Sequence, residues 1–79
     1  MTQLQDEEII RDKLHFFSDK NLAVHITSKI ILQNGKSKWF NGKVKKYFDN
    51  YIEFDDENEG LLPIHFSQIL DVEKREEKR

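Results

Sequence analysis

Between Ile30 and Asp56 the chain reads IILQNGKSKWFNGKVKKYFDNYIEFDD, and this stretch limits the fold more than any other. Asn34-Gly35 separates two apolar runs, Gly42 lies inside the second, and a short Asp49-Asn50 turn leads to a third run that ends in acids. Asn-Gly is the strongest short hairpin signal, because both central residues of the favoured two-residue turn need positive φ. Gly42 falls on the apolar face of its strand, where a side chain is expected. A glycine there marks a sharp bend or the close approach of another strand. Three strands joined by tight turns, with a glycine inside the middle one, predict a small, strongly bent antiparallel sheet. A sheet that bends so early is expected to close into a small barrel, and such barrels are binding modules more often than enzymes.

With 79 residues the chain makes one domain, near the lower limit for a hydrophobic core that stands alone. It has no cysteine, so neither a disulfide nor a Cys-based metal site contributes, and a reducing compartment is compatible. A short chain that is 37% hydrophobic and 35% charged is either modestly stable or gains stability by oligomerising. No run approaches the roughly 20 apolar residues of a membrane span, and the N-terminus lacks the apolar core of a signal peptide. The expectation is a soluble, cytoplasmic domain with no membrane partner. The net charge of −2 hides a segregation: residues 29–46 hold six lysines and no acid, and residues 49–59 hold six acids and no base. Such a lysine excess is either a solvated face or a site for a polyanion.

The N-terminal segment reads as a helix over residues 4–17. Thr2 and Gln5 have capping-box spacing, and Asp6, Glu7 and Glu8 fall where a helix start favours negative charge. Ile10, Leu14 and Phe17 form an apolar stripe that Ile9 and Phe16 widen, which predicts a lid over an open barrel end or a docking face. From Leu22 the period becomes two, and strands are predicted over 22–33, 37–48, 51–55, 61–66 and 69–73. In the first, Val24, Ile26, Ser28, Ile30 and Leu32 share a face. In the second, Phe40, Gly42, Val44, Lys46 and Phe48 share one face, and Trp39, Lys43, Lys45 and Tyr47 the other. Pro63 removes a ladder donor and indicates an edge strand. Residues 74–79 form a charged tail expected to fray.

Leu32-x-Asn34-Gly35, Phe40-x-Gly42-x-Val44 and Phe48-Asp49, within one helix followed by five short strands, resemble the first motif of the Sm-like (LSm) family. The resemblance covers roughly residues 2–73. It implies a mainly β fold: an N-terminal α-helix followed by a strongly bent five-stranded antiparallel sheet, a small barrel of Sm-like, SH3-type form, in a single domain of residues 1–73. It also implies a homo-oligomeric ring in which the fourth strand of one subunit pairs with the fifth of the next. A closed heterologous ring satisfies every edge at once. Leu62, Ile64, Phe66, Ile69 and Val72 are the apolar candidates for that contact. Sm-like proteins that bind uridine-rich RNA carry an Asn a few residues beyond the Phe-Asp, and usually an Arg-Gly between strands four and five. Here Asn50 and Tyr51 follow Asp49 at once, and the link is Ser67-Gln68. The resemblance maps Asp49, Asn50 and Tyr51 onto the first pocket loop and Ser67 and Gln68 onto the second, without the guanidinium.

Lys36, Lys38, Lys43 and Lys45 are candidate phosphate ligands, and Trp39, Tyr47 and Tyr51 candidate stacking platforms, at about 1–3 kcal/mol per base. Tyr51, beside a turn, is the strongest of the three. Catalysis has little support: His15, His25 and His65 show no HxxxH or HExxH spacing, and no nucleophile elbow or phosphate-cradling glycine loop is present. The acidic run Asp55 to Glu59 lacks the alternation of an EF-hand loop and reads as a solvated loop. No catalytic residue, metal, cofactor or small-molecule substrate is assigned. The expected function is a ring-forming, non-catalytic protein that binds single-stranded RNA. The alternative is a protein-interaction or structural barrel of Tudor or SH3-like type with no RNA ligand.

Overall fold

A computed structural model describes residues 7–75. The Thr2/Gln5 capping box, the helix start at Leu4, Asp6 and the end of the tail (76–79) lie outside the described residues. Helix α1 spans Glu7–Asp19. Ile10 and Leu14, one turn apart, are fully buried, and Phe17 packs against the same core. The predicted widening of the stripe is not realised, since Ile9 and Phe16 are 49% and 54% exposed. The helix runs past Phe17 because its end is closed by a Schellman motif. Leu22 N–H donates to the Phe17 carbonyl, Asn21 N–H donates to that of Ser18, and Asn21 adopts φ 53°. Asn21→Val, which puts a β-branched residue in the left-handed region, is expected to lower stability by about 1–2 kcal/mol, read as a shift in the urea midpoint.

Five strands follow: β1 (Val24–Ile31), β2 (Ser37–Tyr47), β3 (Tyr51–Asp56), β4 (Gly60–His65) and β5 (Ile69–Lys74), with a 3-10 turn, η1 (Phe66–Gln68), before the last. They form one antiparallel sheet in the order β4-β3-β2-β1-β5. The bend is at Gly42, which pairs with Val24 of β1 and with Asp56 of β3. The expected closure does not occur, because β4 and β5 do not pair with each other. The sheet is bent but open, and Pro63 does lie on an edge strand. Helix α1 packs across β2, β5 and η1.

A second irregularity, in β1, was not legible from alternation. The β1–β2 register shifts between Thr27 and Ile31, and Ser28, fully buried, repairs the ladder there. Its hydroxyl donates to the Lys38 carbonyl at 2.8 Å and accepts from Ile30 N–H at 3.2 Å. Beyond that point the alternation fails, and Ile30, Ile31 and Leu32 are all exposed. The β1–β2 turn also differs from expectation. Only Gly35 has positive φ, at 81°, while Gly35 N–H donates to the Leu32 carbonyl and Leu32 N–H to that of Lys36. The connection is therefore a longer turn closed by a left-handed glycine, with Asn34 Oδ1 accepting from Lys36 N–H, rather than a two-residue loop.

Phe54, Phe66, Ile26, Ile52 and Ile69 fill the core together with the helix stripe. The tail does not fray at once: Arg75 N–H donates to the Ala23 carbonyl, and its guanidinium pairs with Glu57. No helix among the described residues is long and apolar enough to cross a membrane.

Candidate functional site

The charges segregated along the sequence meet across the sheet. Lys43 stands opposite Asp55 and Lys46 opposite Glu53 in the β2–β3 ladder, and Lys38 Nζ pairs with Glu59 at 2.8 Å. Antiparallel pairing thus sets a basic strand beside an acidic one, at the scale on which cross-strand pairs act, and of the six lysines in 29–46 Lys38 is the one in an ion pair among the described residues. Lys29, Lys36 and Lys45 are exposed and form no ion pair among the described residues.

The second half of β2 corrects the predicted faces. The register shifts between Val44 and Lys46, leaving Lys45 as the extra residue of a β-bulge. Past it the faces exchange. Tyr47 packs against the core beside Phe66, with ring centroids 5.3 Å apart, while Phe48 is exposed. Tyr47 is therefore no outer-face partner of Lys43 and Lys45. Its hydroxyl donates to the Arg11 carbonyl at 3.3 Å, and burial raises its phenol above the ordinary 10.0.

The exchange builds an aromatic row. Ile52 and Phe54 of β3 are buried, so Tyr51 turns outward, and it faces His65 across the β3–β4 ladder. Phe48 stacks on Tyr51 at 4.7 Å and 17°, and His65 lies 5.5 Å from Tyr51 at 33°. Because β3 lies between β2 and β4, Tyr51 is flanked on both sides. The ring faces open to a ligand are those at the ends of the row, on Phe48 and His65. Neither residue was singled out as a stacking platform from sequence. The doubled lysine in Lys43-Val44-Lys45-Lys46-Tyr47, which interrupts alternation, was the available signal for the bulge.

The two predicted pocket loops come together. Phe66 N–H donates to the Asn50 carbonyl at 3.1 Å, bringing the exposed Asp49-Asn50 turn against η1, where Ser67 and Gln68 are also exposed. Arg11 of α1 lies 4.3 Å over the buried Phe66 ring and pairs with Glu7 at 3.3 Å. Trp39, 51% exposed, sits near the far end of β2 with His25, and His25 Nδ1 lies 2.6 Å from Asn41 Oδ1. Lys38 and Gln68, two of the predicted site residues, line one groove beside β4.

Among the proposed contact residues, Ile64, Phe66, Ile69 and Val72 are buried in the chain's own core, so their side chains are not surface that a second copy would meet. Leu62 is half-buried and lines, with Ile30, Leu32 and Pro63, a mainly apolar groove of ≈ 400 Å³ whose lining also includes the Lys38–Glu59 pair and Gln68. The acidic loop is also not wholly solvated, because Asp56 is 5% exposed and accepts N–H bonds from Asn41, Asn58 and Glu59 at 3.2, 2.9 and 2.8 Å. Among the described residues no cluster of three or more His, Asp or Glu could hold a metal ion. Comparison with protein-family models and with curated proteins finds no match to this chain.

Proposed function

We propose that this chain is an Sm-like, ring-forming protein that binds single-stranded RNA without catalysis. The observation that carries the reading is the outward row Phe48–Tyr51–His65, set beside the Asp49-Asn50 turn and η1 at one end of an open sheet. Bases stack on the two open ends of the row, a contact tolerant of sequence. His65 lies on edge strand β4, so a base on its free face is also positioned to touch the next subunit. Lys45, Lys43 and Lys46, exposed on β2, supply cations for phosphates, the last two opposite acids of β3, while Arg11 is held by Glu7.

Equilibrium binding of fluorescent oligo-U and oligo-A at two salt concentrations tests this. Oligonucleotide binding is expected with a shallow salt slope, about −2 in log K against log salt, from a few phosphate contacts at roughly −0.7 each. Tyr51→Ala, which collapses the row, is expected to weaken binding about tenfold or more. Absence of binding at low salt would remove RNA from the proposal.

A protein ligand in place of RNA is favoured by one observation, the apolar groove beside β4. Against the Tudor form, the rings stack in a row rather than walling a cage. Peptide binding that is insensitive to salt and to Tyr51→Ala would favour this alternative.

A further inference from the structure

We propose that Asn34 is a site of spontaneous deamidation in the folded protein, while Asn41, in a second Asn-Gly dipeptide, is protected by the sheet. The chemistry open to Asn34-Gly35 and Asn41-Gly42 is the same. The glycine nitrogen attacks the asparagine Cγ, an N–C bond forms, and the bond to the carboxamide nitrogen breaks. Ammonia leaves, carrying the proton that the glycine N–H gives up through water. Water then opens the cyclic imide at either carbonyl, leaving aspartate or β-linked isoaspartate and one added negative charge. Water is the only co-reactant, and glycine, with no Cβ, obstructs the attack least.

The backbone around the two dipeptides differs. Residues 30–36 are all exposed, and nothing lies within 4 Å of a Cβ built at Gly35. Turning the Asn34–Gly35 peptide for attack breaks the bond from Gly35 N–H to the Leu32 carbonyl. Asn34 Oδ1 already accepts from Lys36 N–H at 3.0 Å. A donor on that oxygen stabilises the charge it gains as the ring closes.

Asn41-Gly42 lies inside the sheet, where Gly42 pairs with Val24 of β1 and Asp56 of β3. The Asn41 carbonyl accepts from Glu57 N–H at 2.9 Å on the β3 side. The N–H of Gly42, next along the strand, therefore turns to β1. Asn41 N–H also donates to Asp56 Oδ1 at 3.2 Å, and Asn41 Oδ1 lies 2.6 Å from His25 Nδ1. Turning this peptide opens the ladder on both sides of β2 and displaces a side chain that is already held. The product is also tolerated at only one site. Isoaspartate at position 34 adds a backbone carbon to an exposed turn, beyond the point where Ser28 repairs the ladder.

The test compares the two sites in one chain. Trypsin cleaves after Lys29, Lys36, Lys38 and Lys43, so residues 30–36 and 39–43 emerge as separate peptides with one Asn-Gly each. The full chain is aged in mildly alkaline buffer with and without guanidinium chloride. Mass spectrometry follows both peptides, and fragmentation separates Asn34 from Gln33. In the folded chain, conversion is expected to be about tenfold or more faster at Asn34, the factor for leaving at least one further backbone bond closed. In guanidinium chloride the two rates should become comparable. Asn34→Gln, which needs a larger ring, should end conversion in its peptide. Circular dichroism melts of fresh and aged protein should nearly coincide. Equal rates in the folded chain, faster conversion at Asn41, or no conversion at Asn34 while both sites react in guanidinium chloride would overturn the proposal. Loss of the fold in the converted fraction would overturn it as well.

Discussion

Gly42→Ala is expected to unfold the domain or remove at least about 3 kcal/mol of its stability. The ideal Cβ at this position lies 1.9 Å from the Asp55 carbonyl oxygen and 2.9 Å from its carbon. Both obstacles are backbone, so no rotamer change relieves them, and the β2–β3 ladder must open where Gly42 also pairs with β1. A domain of this size has only about 4–12 kcal/mol in total, and its thermal midpoint moves by roughly 4–8 °C per kcal/mol. Gly35 supplies the contrast. It has φ 81° and nothing within 4 Å of an added Cβ, so Gly35→Ala should cost only the conformational strain, about 1–2 kcal/mol. Thermal melts of the two variants side by side check the argument. Equal losses would show that Gly42 serves as a flexible residue and not as the place where two backbones meet.

Asp56→Ala is expected to cost about 3 kcal/mol, far more than any neighbouring acid. Its carboxylate holds three backbone donors, one on β2 and two in the β3–β4 turn, and the site is nearly closed to solvent. Bonds to a charged acceptor are worth about 1.5–3 kcal/mol each, and donors left buried carry their full desolvation penalty. Alanine would leave three such donors, although turn donors that reach water recover part of the loss. Asp56→Asn keeps one acceptor oxygen and should fall between. Asp55→Asn touches an exposed cross-strand pair with Lys43 and should change stability by less than about 1 kcal/mol. Urea denaturation of the three variants gives the order, and a small effect at Asp56 equal to that at Asp55 would remove its structural role.

Much of the fold was legible because local signals agreed with it. The apolar period of four and three residues in α1, the alternation from Val24 to Ser28, the bend glycine and the edge proline each act within a few residues of chain, where side-chain periodicity and backbone freedom decide the outcome. The candidate site was less legible for a physical reason. Its aromatic row depends on the bulge at Lys45, which exchanges the faces of Tyr47 and Phe48. A one-residue shift reverses every later side chain in a strand. Strict alternation therefore placed both residues on the wrong side.

The amino-acid order alone determined that this chain makes one helix and five strands, where β2 must bend, and that β4 lies at an edge. These follow from which residues can tolerate a backbone geometry. Only the tertiary structure decided that the sheet stays open, that Lys43 and Lys46 face acids, that Arg11 reaches Phe66, and that Asp56 is buried. Each of these depends on strand register or on helix placement, which bring together residues far apart in the chain, and no local pattern encodes that distance.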